Sequence, residues 1–452
     1  PNLTLAAGQS CVVVADTNAF ALRYGANNPN ILVAGQYTKR LNNNSDQIIL
    51  LGPVGEPILD FTYHDNWHPT TDGFGFSLVF ADPTLPVAAW SDPSHWQPSR
   101  DLGGSPGQPN PAPPVILAVV VNELLSNTDP PACDAVELYN PTGGPADVGG
   151  WFLTDEFDTP KKYRIPVGTT IAAGDYLVFY AINSFGQASA GNQSFQFSSL
   201  GEEVYLFSGD AATNLTGYVH GFDFGEQFVG ATFGRHVTSV SNDVFVSQSR
   251  PTLGAANAGP RVGPVVISEI MFRPPDVLIN GVPTDNTQDE YIEILNITSE
   301  DVPLYDPAYR TNTWRLQDGI DFVFPTNVVL RAGGYALVVN FDPSDPVMAD
   351  AFRQRYMVPP AIPLFGPYSG KLSNTGERLE LMRSDHPKPP TDPDAGYVPY
   401  VLAERINYST EAPWPPFAVG LGIALQRVDV TAFGNDPANW TAAVATAGAG
   451  FA

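Results

Sequence analysis

The chain has 452 residues, a length that suits two to four domains, and its 43% hydrophobic content is too high for a disordered polypeptide. A formal net charge of −25 repels phosphate backbones, so no nucleic-acid partner is expected. No run of eighteen apolar residues offers a membrane span, and the two cysteines, Cys11 and Cys133, make neither a disulfide framework nor a zinc spacing.

Forty-four prolines and 41 glycines, spread without a period, indicate many turns between short strands. The first element is an apolar run broken by Ala-Gly, "LTLAAGQSCVVVADT" (Leu3 to Thr17). "AFALRY" (Ala19 to Tyr24) suggests a short helix, and "LNNNSDQIILL" (Leu41 to Leu51) a turn and strand. "WHPTTDGFGFSLVF" (Trp67 to Phe80) and "WSDPSHWQPSRDLGGSPGQPN" (Trp90 to Asn110) complete a first copy. A Pro/Gly/Ala-rich stretch from Gly103 to Pro114 reads as a semi-rigid spacer.

The same elements return in order, now with a front part. The second copy opens on "VVVNELL" (Val119 to Leu125) and "DAVELYN" (Asp134 to Asn140). It continues through "TTIAAGDYLVFYAIN" (Thr169 to Asn183), "FSSLGEEVYLF" (Phe197 to Phe207) and "SQSRPTLGAAN" (Ser247 to Asn257). The third opens on "VVISEIM" (Val265 to Met271) and "EYIEILN" (Glu290 to Asn296). It then runs through "NVVLRAGGYALVVNFD" (Asn327 to Asp342) to "LSNTGERLELM" (Leu372 to Met382), where Leu379 and Leu381 alternate with Arg378 and Glu380 as in a half-buried strand. Ser344 or Asp345 can cap a helix whose first turn holds Pro346 and whose apolar stripe is Val347, Met348, Ala351, Phe352 and Tyr356. "WPPFAVGLGIALQR" (Trp414 to Arg427) and "NDPANWTAAVATAGAG" (Asn435 to Gly450) close the chain. A repeat of about 160 residues is domain-sized. The boundaries read as 1–110, 111–258 and 259–452.

The order of these segments resembles the lamin tail domain family. The third copy, Val265 to Ala452, carries all of them; the second, Val115 to Asn257, most; the first, Pro1 to Asn110, only the latter two-thirds. The resemblance implies an all-β chain of three tandem immunoglobulin-like β-sandwiches, the first lacking its N-terminal strands and the third carrying a short inserted helix. It also implies non-catalytic modules of the kind found in bacterial secreted or surface proteins. There is no heptad rod, so the filament role of the nuclear members does not apply. The chain opens on Pro1 without a secretory apolar segment, which fits a processed or partial polypeptide. The incomplete first copy should be filled by an upstream segment or by a strand from a neighbouring chain.

No catalytic residue is expected. Glu123 and Glu137, repeated as Glu269 and Glu293, could serve as acid and base, but duplication favours edge-strand carboxylates that satisfy loop amides. His64 and His68 read as loop histidines beside Trp67. Asp342, Asp345, Asp392 and Asp394 lie in acidic loops and are the candidate calcium ligands; solvated turns are the competing reading, and no other cofactor is expected. Trp67, Trp90 and Trp96 could stack on a sugar, or fill a core as Trp414 and Trp440 would. Glycosylation triplets start at Asn2, Asn43, Asn192, Asn214, Asn296, Asn407 and Asn439. The function expected is that of an extracellular structural or adhesion protein: a surface, matrix or appendage component, or an accessory subunit of a larger assembly. Its partners would be other protein chains, by self-association or assembly, or an extracellular polysaccharide. The alternative is a carbohydrate-binding accessory region of a larger secreted enzyme.

Overall fold

The computed structural model describes residues 3–25, 30–112, 114–189, 191–416 and 422–450. Asn2, and the stretch 417–421 within the Trp414 to Arg427 segment, lie outside the described residues.

The three Ala-Gly sentences fold into one kind of turn. Gly8, Gly174 and Gly333 have φ of 74°, 75° and 63°, the left-handed region that a side chain disfavours. Each turn is closed by a backbone bond: Gln9 N to Ala6 O (3.0 Å), Asp175 N to Ala172 O (3.1 Å) and Gly334 N to Arg331 O (2.8 Å). A strand follows each one: Val12–Val14, Tyr176–Tyr180 and Tyr335–Val339.

In the middle of the chain these strands assemble into two sheets. One has the spatial order Tyr176–Tyr180, Ala135–Tyr139, Val120–Leu125, Phe233–Val237, Asp243–Ser247. The other has the order Tyr163–Arg164, Phe152–Thr154, Glu202–Gly209, Leu215–Phe224. They share one core, in which Val121, Leu138 and Phe233 of the first meet Leu153, Val204 and Leu206 of the second.

The last part repeats the plan at larger size. Its first sheet runs Leu364–Phe365, Tyr335–Val339, Tyr291–Asn296, Val265–Met271, Ile423–Arg427, Trp440–Val444. Its second runs Ser369–Gly370, Ile320–Val323, Arg315–Asp318, Gly376–Ser384, Tyr400–Ser409. The core between them holds Ile267, Ile294 and Leu425 against Leu316, Leu379 and Ile406. A helix, Pro346–Tyr356, lies on the outer side of the six-stranded sheet. Asp345 caps it by accepting from Val347 N (2.9 Å) and Met348 N (3.4 Å). Phe352 and Tyr356 pack there on Met271, Tyr291 and Leu337, so Val265–Met271 is buried on both faces.

Among its described residues the first part holds three separate strand pairs. Val12–Val14 pairs with Val33–Gln36 in parallel, as Tyr335–Val339 does with Leu364–Phe365. Ser45–Leu51 and Pro57–His64 form the hairpin, and Leu78–Phe80 pairs with Trp96–Pro98. In the middle and last parts two central strands join the counterparts of Val12–Val14 and Leu78–Phe80; among the described residues none does so here. Its core is correspondingly small. Phe61, Phe80 and Trp96 are buried with Trp90, which stacks on Phe80 at 4.1 Å, while Val13 is 59% and Leu50 54% exposed. A short helix, Thr17–Phe20, widens into a π-turn over Ala21–Gly25.

The parts touch, so the stretch read as a semi-rigid spacer does not hold them apart. Phe74 and Phe76 join Phe152, Phe157, Phe207 and Leu215 in one apolar cluster, and Thr70 Oγ1 donates to Gly217 O at 3.0 Å. Between the middle and last parts, Ser239 N donates to Asp436 (2.9 Å) and Lys388 Nζ to Ser199 Oγ (2.7 Å). Glu226 accepts from Tyr397 OH and from Tyr400 N.

Candidate functional site

The repeated glutamates are buried and hydrogen-bonded in both pairs. Glu123 faces Glu137 across two neighbouring strands, and Glu269 faces Glu293. A bulge precedes each first glutamate, between Val121 and Glu123 and between Ile267 and Glu269, and the two glutamates of a pair, directly opposite on neighbouring strands, lie on one face. All four are 0–1% exposed. The strands are central in their sheets and not at edges as the sequence suggested.

A turn from the end of each unit closes over its pair. Thr252 donates to Glu123 from N (2.8 Å) and Oγ1 (2.7 Å), and Gly254 N donates to Glu137. Thr446 donates to Glu269 from N (3.1 Å) and Oγ1 (3.0 Å), and Gly448 N donates to Glu293 (2.6 Å). The two turns have one geometry. Gly254 and Gly448 have φ of 88° and 83°, and Ala255 N and Ala449 N close them on Thr252 O and Thr446 O at 2.9 and 2.8 Å. Other partners complete the cage: Thr232 Oγ1 on Glu123 (2.6 Å), Asn122 Nδ2 on Glu137 (2.7 Å), Tyr291 OH on Glu269 (2.6 Å), Ser268 Oγ on Glu293 (2.7 Å). Burial, helped by the facing carboxylate, raises Glu137 to about 7 and Glu293 to about 8; burial raises Glu269 as well. Groups so enclosed hold sheet to turn and offer no substrate a face.

A second buried device sits at the same bulge. Glu404 accepts from Ile267 N (2.5 Å) and from Arg427 Nη1 (2.5 Å), and Arg427 also donates to Ile267 O (3.2 Å) and Ala432 O (2.6 Å). In the middle unit Val121 N donates instead to His220 Nδ1 (3.0 Å). Asn140 and Asn296 staple the loop after their strand to the Ala-Gly turn. Asn296 Nδ2 donates to the carbonyls of Glu300, Leu330 and Arg331, and its Oδ1 accepts from Thr298. The Asn296 triplet is therefore closed to a sugar in the folded chain. So is Asn439, whose Nδ2 donates to Asp429 O and Phe433 O.

The acidic loops are spent locally. Asp342 accepts from Ser344 N (2.9 Å), Asp345 caps the helix, and Asp392 accepts from Asp394 N (2.9 Å). Hydrogen bonds from Ser344 hold Asp342 below the usual carboxylate range. The two pairs belong to different loops, and no group of three potential metal-ligating side chains forms among the described residues. His68 bonds Trp96 O (2.7 Å) and is pushed down by burial, while His64 lies beside the Trp67 ring. Trp67 and Trp90 both pack on Trp96, and Trp90 and Trp96 pack on Phe61.

The sequence offered no signal for a cleft of about 830 Å³ between the middle and last units. Arg261, Arg315 and Arg383 line it with Phe228, Phe245 and Tyr400. Arg315 stacks on Tyr400 at 3.7 Å, and Arg383 lies over Phe228 at 4.9 Å. Burial and the nearby Arg383 lower the Arg261 guanidinium.

Residues 111–220 match the family model of the Lamin Tail Domain. The match includes Glu123, Glu137 and Asn140 and stops short of the Thr252 turn. A DUF4876 family protein from Bacteroides thetaiotaomicron, known from its crystal structure, aligns at 10% identity over 67% of this chain and 93% of its own, with a TM-score of 0.26. A likeness that slight supports no conclusion. No curated protein matches. The chain is thus mostly β, with a segment that matches the Lamin Tail Domain model, and no described helix is long and apolar enough to cross a membrane.

Proposed function

We propose that this is a non-catalytic extracellular protein that builds or decorates an assembly: a surface, matrix or appendage component, or an accessory subunit of one. Three lamin-tail-like sandwiches, at 1–110, 111–258 and 259–452, would follow one another, with the first open at its front and the helix an insertion in the last. The observation that supports this is the twice-built closure of the glutamate pairs. The side chains best suited to acid–base work are given over to holding each unit shut. Antibody labelling of intact producing cells tests the reading. Signal on the outer surface or in the surrounding matrix is expected; signal only after permeabilisation would overturn it.

The arginine and aromatic lining of the cleft favours a second reading, a carbohydrate-binding accessory region of a larger secreted enzyme. The same lining carries Asp223, Glu226, Glu380 and Glu404, so charged groups of both signs stand ready for sugar hydroxyls beside the rings. Titration with uronate and neutral oligosaccharides tests this second reading: binding that Arg383→Ala abolishes is expected, and binding of neither sugar would overturn it.

A further inference from the structure

We propose that a pocket in the last unit, floored by Asp306, binds a primary ammonium group on an aliphatic stem, the chemistry of a lysine side chain. The site is independent of both readings above and shares only Pro264 and Arg383 with the larger cleft.

The floor is built by a proline turn. Asp306 and Pro307 open it, and Tyr309 N donates to Asp306 O at 3.1 Å. Asp306 N donates to Asn312 O (2.8 Å), and Ser384 Oγ donates to that same carbonyl (2.9 Å), which ties the turn to the end of Gly376–Ser384. Within the turn, Asp306 Oδ1 accepts from Ala308 N (2.8 Å) and Tyr309 N (3.3 Å). That leaves Oδ2 for the pocket, which Asp306 lines. The side chain is 1% exposed, and Oδ2 is buried with no hydrogen bond. A buried carboxylate oxygen in that state is costly, and a cation relieves the cost.

The chain's own cations leave room for one. His386 Nδ1 lies 2.9 Å from Oδ2 but off hydrogen-bond geometry, and its side chain is 66% exposed, so the ring can turn to solvent as a ligand enters. Arg383 is held on the rings of Phe228 (4.9 Å) and Trp314 (5.9 Å). Size and walls define the rest of the ligand. The cavity measures about 230 Å³, and ~150 Å³ is enough for a benzene ring. Pro264, Val302, Pro303 and Trp314 give it apolar sides for a stem, while Asp301 and Asp385 add negative charge. A guanidinium pairs best with both oxygens of a carboxylate, and here Oδ1 is already taken; a single open oxygen suits the compact charge of an ammonium. The net charge of −25 draws such a ligand in.

The test uses the full 452-residue protein and three probes: Nα-acetyl-lysine methylamide, n-butylamine, and the lysine probe acetylated at its side chain as well. In saturation-transfer NMR titrations the two amines should bind and the doubly acetylated probe, which has lost its charge, should not. Asp306→Asn keeps an acceptor for Ala308 N and should weaken the lysine probe about tenfold, the usual effect of losing a charge-assisted hydrogen bond. His386→Ala removes the ring beside Oδ2 and should leave binding as tight or tighter. Equal thermal midpoints of parent and variants show that the turn is intact, and the uncharged probe decides on the parent protein alone if they differ. Tighter binding of the lysine probe than of butylamine assigns the pocket to a lysine in a polypeptide, and the reverse to a free amine. Binding of neither amine, equal binding of the uncharged probe, or unchanged binding by a well-folded Asp306→Asn protein overturns the proposal. So does loss of binding in His386→Ala, which would make the imidazole the binding group.

Discussion

Asn296 shows how a residue's role can hide behind a common triplet. Its Asn-Ile-Thr sequence scans as a glycosylation site, yet the amide is used up on Glu300, Leu330, Arg331 and Thr298. The clue was in the sequence: the equivalent Asn140 is followed by Pro141, which forbids glycosylation but permits the same loop. Asn296→Ala strands buried carbonyls and is expected to lower stability by about 2 kcal/mol in urea unfolding. Glu293 makes a different demand. Its carboxyl sits at about 8 in the fold against 4.5 when exposed, so the folded chain holds a proton that the unfolded chain releases. That contribution is full below about 4.5 and is lost as pH rises to about 8; Glu137, at about 7, acts in the same direction. Thermal midpoints should therefore fall from pH 5 to pH 8, and Glu293→Gln should flatten the slope while keeping bonds to Ser268 and Gly448.

Among elements, the Ala-Gly turn was the most readable, because its left-handed position admits glycine and little else. The strand Gly376–Ser384 was readable too, since Leu379 and Leu381 point to the core on an alternating background. Val265–Met271 shows no alternation because its outer face is covered too, by the Thr446 turn at Glu269 and by the helix cluster at Met271. The Thr-x-Gly turns were read only as the ends of copies. Their meaning lies in partners 129 and 177 residues away, which no local pattern reports. Gly448→Ala should cost at least 1 kcal/mol, from its φ of 83° and from a Cβ only 2.8 Å from Ile362. Thr446→Ser should be milder, because the hydroxyl remains. Comparing Gly448→Ala with Thr446→Val, which removes the hydroxyl bonded to Glu269, by chemical denaturation separates backbone strain from the lost hydroxyl contact.

For the whole molecule, segments that recur in the sequence supply recurring strands and turns. The contacts between units were illegible. Phe74 and Phe76 sit in a stretch that reads as one more shared motif, and only folding brings them against Phe207 and Leu215. The first unit leans on this contact. Residues 1–110 expressed alone lose the apolar cover of the Phe74 cluster, and their own core is small. They are expected to give no cooperative thermal transition, whereas residues 259–452, with a core drawn from both sheets, should unfold in one step. A sharp transition in the short fragment would show that its three strand pairs suffice.

The turns that close the glutamate pairs also set an order of events during synthesis. Glu123 leaves the ribosome 129 residues before Thr252, and Glu269 leaves it 177 residues before Thr446. At about 5–20 residues per second, each carboxylate pair waits on the order of ten seconds for its cover. Until then the central strands that carry the pair cannot be sealed, however well their apolar faces have met. Each unit is thus finished by its tail, and a nascent chain halted a few residues short of Thr252 or Thr446 would display a nearly complete sandwich that has not locked.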